Sequence, residues 1–87
     1  MRERHFLSYR GVQLPLQLMQ ELDVDGLRHR NTWYTAGYDA QYRPLWIEQR
    51  VYGEVALRHD YRWHADGRLA EAVIQQPDED PVIRRWD

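Results

Sequence analysis

Between Asn31 and Gln75 the chain repeats one pattern: a β-rich run, a short turn, and another β-rich run. "NTWYTAGY", "PLWIEQRVY", "VALRHDYRW" and "LAEAVIQ" are rich in β-branched and aromatic residues and are parted by turns at Asp39–Tyr42, around Gly53 and at Ala65–Gly67. No stretch of twelve residues keeps a clean helical period. Strands joined by tight turns pair antiparallel, so these runs predict a single up-and-down meander. The predicted fold is all-β, or mainly β with one short helix, as one antiparallel sheet of five to six strands. At 87 residues the chain forms one domain, 1–87, with 77–87 read as an extended tail.

Register follows from asking which pairing keeps the faces unmixed. A three-residue loop at Tyr52-Gly53-Glu54 sets Val51 opposite Val55, Gln49 opposite Leu57 and Ile47 opposite His59. A three-residue loop at Ala65–Gly67 continues this, with Trp63 opposite Leu69 and His59 opposite Val73. One face then collects Leu45, Ile47, Val51, Val55, Leu57, Tyr61, Trp63, Leu69 and Val73, a core side. The other carries Trp46, Glu48, Arg50, Arg58, Asp60, Arg62, His64 and Arg68, with Ala70 and Ala72. A two-residue loop at Gly53-Glu54 would put Arg50 against Leu57 and mix the faces, so it is rejected.

The segment before Asn31 is less regular. "HFLSYRGVQLPL" predicts a hairpin turning at Arg10-Gly11, which pairs Tyr9 with Val12 and Leu7 with Leu14. Pro15 cannot donate to a ladder, so the second strand is an edge there or gives way to a short helix over 15–22; the strand reading is preferred. Asp23-Val24-Asp25-Gly26 resembles part of a calcium loop, but a loop aligned on Gly26 needs a bidentate Glu where Thr32 stands. A turn leading into one turn of helix is the better reading.

An internal repeat supports the hairpins. Tyr38-Asp-Ala-Gln-Tyr-Arg43 and Trp63-His-Ala-Asp-Gly-Arg68 share aromatic-x-Ala-x-x-Arg at an offset of twenty-five residues. "WHADGRLAEAVI" resembles the hairpin of tyrosine-aspartate (YD, or Rhs-type) repeats; "YDAQYRPLWI" keeps the Tyr-Asp-Ala and the Arg of that pattern. The resemblance implies a structural β-hairpin, not an activity. With "SYRGVQLPL" and "RVYGEV", the chain is also similar to small stand-alone bacterial proteins of unknown function.

Composition removes several function classes. There is no cysteine, hence no disulfide and no thiolate metal site. All twelve basic residues are Arg, which excludes Schiff-base, Walker-type and Ser-Lys chemistry. His59 and His64 lie five apart on a strand and point to opposite faces; His5 and His29 lie in separate segments, so no metal site is expected. Ser8 is the only serine and has no His-Asp signature beside it. His64, Asp66 and Arg68 read as turn residues rather than a triad. No catalytic residue, no cofactor and no enzyme activity are expected. "MRERHFLSYR" carries no signal-peptide run and nothing approaches a membrane span, so a cytoplasmic location is expected.

The candidate binding face is Trp46, Arg50, Arg58, Arg62, His64 and Arg68. Arginine beside an exposed Trp is what single-strand nucleic-acid binders use. Here Glu48 stands opposite Arg58 and Asp60 lies between Arg58 and Arg62, so the row reads as a self-neutralised ladder. The net charge of -2 also disfavours a nucleic-acid partner. Trp, Tyr and Arg are the residues enriched in protein interfaces, so the expected partner is a protein. A single sheet needs a cover for its apolar face: either it curls into a roll, or a second copy of the chain supplies the cover. The tail segment "VIRRW" either docks as an extra edge strand or reaches a partner, with terminal fraying competing with both.

Overall fold

A computed structural model describes residues 2–87. The elements are β1 (Arg2–Arg10), β2 (Gln17–Leu22), α1 (Val24–Leu27), β3 (Thr32–Tyr38), β4 (Pro44–Val51), β5 (Glu54–Trp63), β6 (Leu69–Gln75) and β7 (Val82–Arg85). The strands form one antiparallel sheet in the order β2-β1-β3-β4-β5-β6-β7. The mainly β, antiparallel class is as expected. The sheet has seven strands because the tail docks as β7 on β6.

The meander is broken at its start. β3 pairs with β1 rather than β2, placing Phe6 opposite Tyr34 on the buried face. Two strands therefore share β1: its first half pairs with β3, and the stretch from His5 onward pairs with β2. The connection from β2 to β3 runs through α1, where Asp23 caps the helix by accepting the Gly26 N–H at 2.7 Å. That cap is why "DVDG" begins one helical turn.

The predicted turn at Arg10-Gly11 is corrected. Arg10 pairs with Gln17 and Tyr9 with Leu18, so residues 11–16 form a loop and Val12 is 96% exposed. The cause is burial. Leu14 and Leu16 fold back against the core, and the Leu16 N–H donates to Tyr61 Oη of β5 at 3.3 Å. A tight two-residue turn would keep these leucines on the hairpin and leave the apolar face uncovered. The chain's own loop thus covers part of that face.

Two bulges decide the register between β4, β5 and β6. The β4–β5 turn is the two-residue Tyr52-Gly53, with both residues at positive φ (51° and 82°), the type I′ signature. Val51 therefore faces Glu54, not Val55. A bulge beside Gln49 and Arg50 adds back one residue, so Gln49 still faces Leu57 and Ile47 still faces His59. At the β5–β6 turn Trp63 faces Leu69 as expected, but a second bulge follows. His59 then faces Ile74 rather than Val73, and Tyr61 faces Ala72. Ala72, assigned from the sequence to the polar face, is fully buried, and Val73 moves to the other side. The swap puts a methyl group opposite the Tyr61 ring, where a larger residue would compete for the space.

The core is Phe6, Tyr34, Ala36, Ile47, Tyr61 and Ala72, with Leu14, Leu16, Leu18, Tyr38, Trp63 and Leu69 packed around it. His59, 5% exposed, lies on this face. Tyr61 Oη sits 2.7 Å from His59 Nδ1. Because that oxygen already accepts the Leu16 N–H, its own hydrogen is free to go to His59 Nδ1. Burial holds the imidazole pKa below its usual value and pushes the Tyr61 phenol up to about 12.

A charge-compensated tryptophan and arginine face

The face opposite the core is built from the alternate positions of the same strands. His5, Thr35, Glu48 and Arg58 form one cross-strand row from β1 to β5; Gly37, Trp46 and Asp60 form the next. Trp33 stands opposite Arg50 on the other side of the Thr35 row. Gly37, without a side chain, stands opposite Trp46.

Glu48 is the centre of this face, and at 7% exposure it is buried beneath its partners. Its Oε1 accepts from Arg50 Nη2 at 2.8 Å, and its Oε2 accepts from Arg58 Nη1 at 2.5 Å. Arg58 also donates from Nη2 and Nε to Asp60, at 2.9 and 3.0 Å, and its guanidinium lies 5.2 Å from the Trp46 ring centre. These bonds, first to Asp60 and then to Glu48, raise the Arg58 pKa further. Further along, Glu71 accepts from Arg62 at 3.1 Å and from Arg85 at 2.7 Å; the two guanidinium groups hold its carboxyl below the usual range. Four guanidinium groups (Arg50, Arg58, Arg62, Arg85) meet three carboxylates (Glu48, Asp60, Glu71), a surplus of one charge. Arg50, Arg58 and Arg62 are each paired with a carboxylate, as the ladder expected from the sequence requires, although the row is not fully neutralised.

The sequence-derived residues divide into groups. Trp46, Arg50 and Arg58 come together around Glu48, and Arg62 lies on the same face, tied to Glu71. His64 and Arg68 do not join them. His64 Nε2 donates to the Trp86 carbonyl at 2.8 Å, and Arg68 Nη1 donates to the Asp87 carbonyl at 3.1 Å, so both fasten the end of the chain. Sequence reasoning missed Trp33, His5 and Thr35. The Trp33 indole donates to Thr35 Oγ1 at 3.1 Å, and that hydroxyl also bonds His5 Nδ1 at 2.9 Å. Trp33, Trp46, His5, Thr35, Glu48 and Arg50 line a shallow depression of about 410 Å³. The alternation in "TWYTAG", carried across from Glu48, would have placed Trp33 and Thr35 there.

The two repeated turns share one geometry. The Asp39 N–H donates to the Arg43 carbonyl and the Tyr42 N–H to the Asp39 carbonyl, both at 3.0 Å. Twenty-five positions on, the His64 N–H donates to the Arg68 carbonyl at 2.8 Å and the Gly67 N–H to the His64 carbonyl at 3.0 Å. Tyr42 and Gly67 both have positive φ, 61° and 92°. An aspartate pins the loop arginine in each: Asp39 accepts from Arg43 Nε at 2.9 Å and Asp66 from Arg68 Nε at 2.7 Å. The backbone N–H groups of Arg43 and Arg68 are the foremost cause of the lowered pKa of these two carboxyls. Asp66 builds the turn by accepting from the Arg68 N–H and Nε.

Among the described residues no three His, Cys, Asp or Glu groups converge where they could hold a metal, and no helix is long and apolar enough to cross a membrane. The fold and this face define a small, mainly β protein built on one open antiparallel sheet. It belongs to a family of unknown function, DUF6156, whose model matches residues 1–87. No curated protein and no solved structure matches the chain.

Proposed function

We propose that this is a non-enzymatic, cytoplasmic protein-interaction module whose binding surface is the open face around Trp33, Trp46, Arg50 and Arg58. The observation that carries the reading is that Glu48, buried, locks two arginines beside two half-buried tryptophans. Side chains already held by hydrogen bonds lose little rotamer freedom on binding, and Trp and Arg are the residues that dominate interface energetics. Charge compensation supports a protein partner over a nucleic acid, because phosphate binding needs guanidinium groups that are not already neutralised. Three of the four histidines support a non-catalytic role: His59 is bonded in the core, His64 to the Trp86 carbonyl, and His5 to Thr35. The matching hairpins support the likeness to YD repeats as structural units.

The test is selection of peptides from a displayed library against the full chain, followed by affinity measurement on Trp46→Ala and Trp86→Ala variants. Peptides that lose at least about tenfold in affinity with Trp46→Ala and little with Trp86→Ala support the reading, since truncating a hot-spot aromatic costs more than about 1.4 kcal/mol. Single-stranded oligonucleotides that bind the wild type, with affinity falling steeply as salt rises, would replace it with the nucleic-acid reading.

A further inference from the structure

We infer that the free edge of β7 pairs antiparallel with β7 of a second copy, across a two-fold axis at Ile83. The orientation of the edge comes from one hydrogen bond. The Trp86 N–H donates to the Ala70 carbonyl at 2.9 Å, in the same register that pairs Arg84 with Ala72 and Val82 with Ile74. In an antiparallel ladder hydrogen-bonded pairs alternate with non-bonded ones, so Val82, Arg84 and Trp86 turn their backbone groups towards β6. Ile83 and Arg85 therefore turn theirs outward, away from any strand of this chain. Val82 and Ile83 are each 50% exposed. An apolar edge with free donors and acceptors is a template for another strand. The opposite edge of the sheet is less suited: β2 is interrupted by Gln20 at a positive φ of 62°.

Charge selects a second copy as the occupant. The sequence runs Asp78-Glu79-Asp80, then Pro81-Val82-Ile83, then Arg84-Arg85, acidic before the apolar centre and basic after it. Antiparallel self-pairing reverses one copy, so the basic end of each β7 lies along the acidic approach of the other. With Ile83 facing Ile83 of the second copy, Val82 faces Arg84, and the Arg84 guanidinium lies diagonally across from Asp80. The Arg85 N–H then meets the Pro81 carbonyl of the second copy. Pro81, having no N–H, cannot complete that pair, as suits a residue at an edge. Asp78, Glu79, Asp80 and Arg84 make no ion pair among the described residues, so all four are available to the second copy. The surface is isologous, as a two-fold dimer requires.

The test is sedimentation velocity of the full chain across a concentration series from about 5 to about 500 µM, because a short edge gives a dimer weaker than a standard interface. A concentration-dependent dimer is expected, weakened by added salt. Ile83→Pro deletes an outward N–H that β6 does not use, so the chain is expected to keep its circular dichroism and lose at least about tenfold in dimer affinity. Asp80→Arg and Arg84→Asp are each expected to weaken the dimer, and the double exchange to restore it. This second series carries the test if Ile83→Pro unfolds. A monomer throughout the series overturns the inference, as does a dimer indifferent to Ile83→Pro and to both single charge reversals. Neither outcome bears on the tryptophan face, which lies on other residues.

Discussion

Replacing Tyr61 by Phe removes one oxygen and leaves two groups without their partner. The hydroxyl bonds His59 Nδ1 at 2.7 Å and accepts the Leu16 N–H at 3.3 Å, from a residue 4% exposed. His59 is itself buried, so its Nδ1 gains no water in exchange. A buried acceptor left unsatisfied costs about 1–3 kcal/mol, while Leu16, only half-buried, recovers part of its loss from solvent. The sum is about 2 kcal/mol of stability. For a domain of this size that lowers the Tm by roughly 8–16 °C. Denaturant unfolding followed by tryptophan fluorescence measures the free energy, and amide hydrogen exchange at Leu16 reports the loop. Faster exchange at Leu16 is expected, because the bond that ties the loop to β5 is gone. A variant within about 0.5 kcal/mol of the wild type, with Leu16 protection unchanged, would refute the claim that this relay holds the loop over the core.

The remaining expectations concern pH, turns and the open face. His59 has a lowered pKa in the folded chain, so the unfolded chain binds its proton more tightly and stability is full above the ordinary histidine value of about 6.5. Below that pH stability falls, by up to about 1.4 kcal/mol per pH unit until the folded-state pKa is passed; unfolding midpoints at pH 7.5 and 5 check this, and His59→Gln is expected to flatten the difference. Gly67→Val forces a β-branched residue to a φ of 92° and is expected to cost about 1–3 kcal/mol, whereas Tyr42→Gly at the matching turn, φ 61°, is expected to stabilise by up to about 1 kcal/mol; thermal unfolding of both variants is the check. Glu48→Gln removes the charge that holds Arg50 and Arg58; with both arginines about one-third exposed the cost is expected at about 1–2 kcal/mol, read by chemical denaturation.

The middle of the chain was legible because period-two alternation and turn residues act locally. Ile47 opposite His59, Trp63 opposite Leu69 and Glu48 opposite Arg58 follow from the pattern alone. Bulges are not visible in such a pattern. The one between Arg62 and Trp63 reversed Ala72 and Val73, since nothing local distinguishes a bulge from a regular step when a small residue suits either face. The β4–β5 case is more instructive: the loop was one residue shorter than expected and the bulge compensated, so the downstream pairing agreed although the turn did not. At the other end, the Arg10-Gly11 turn looked favourable in isolation but lost to burial of Leu14 and Leu16 against a strand 45 residues away. That contact is tertiary and leaves no local trace. The same division holds for the site. Trp46, Arg50 and Arg58 share neighbouring strands and were found, while Trp33 needed the alternation carried from β4 onto β3, His5 needed the pairing of β1 with β3, and His64 and Arg68 were claimed by the tail.

The four tryptophans give the account its most direct test, because each indole N–H has its own signal in a ¹H–¹⁵N spectrum. Trp63 donates to the Pro44 carbonyl at 2.9 Å away from the open face, and serves as an internal reference. Titrating the full chain with a peptide selected against it is expected to shift the Trp33 and Trp46 indole signals and leave Trp63 in place. Shifts confined to Trp63 or Trp86, with Trp33 and Trp46 unmoved at saturation, would contradict the assignment of the binding surface.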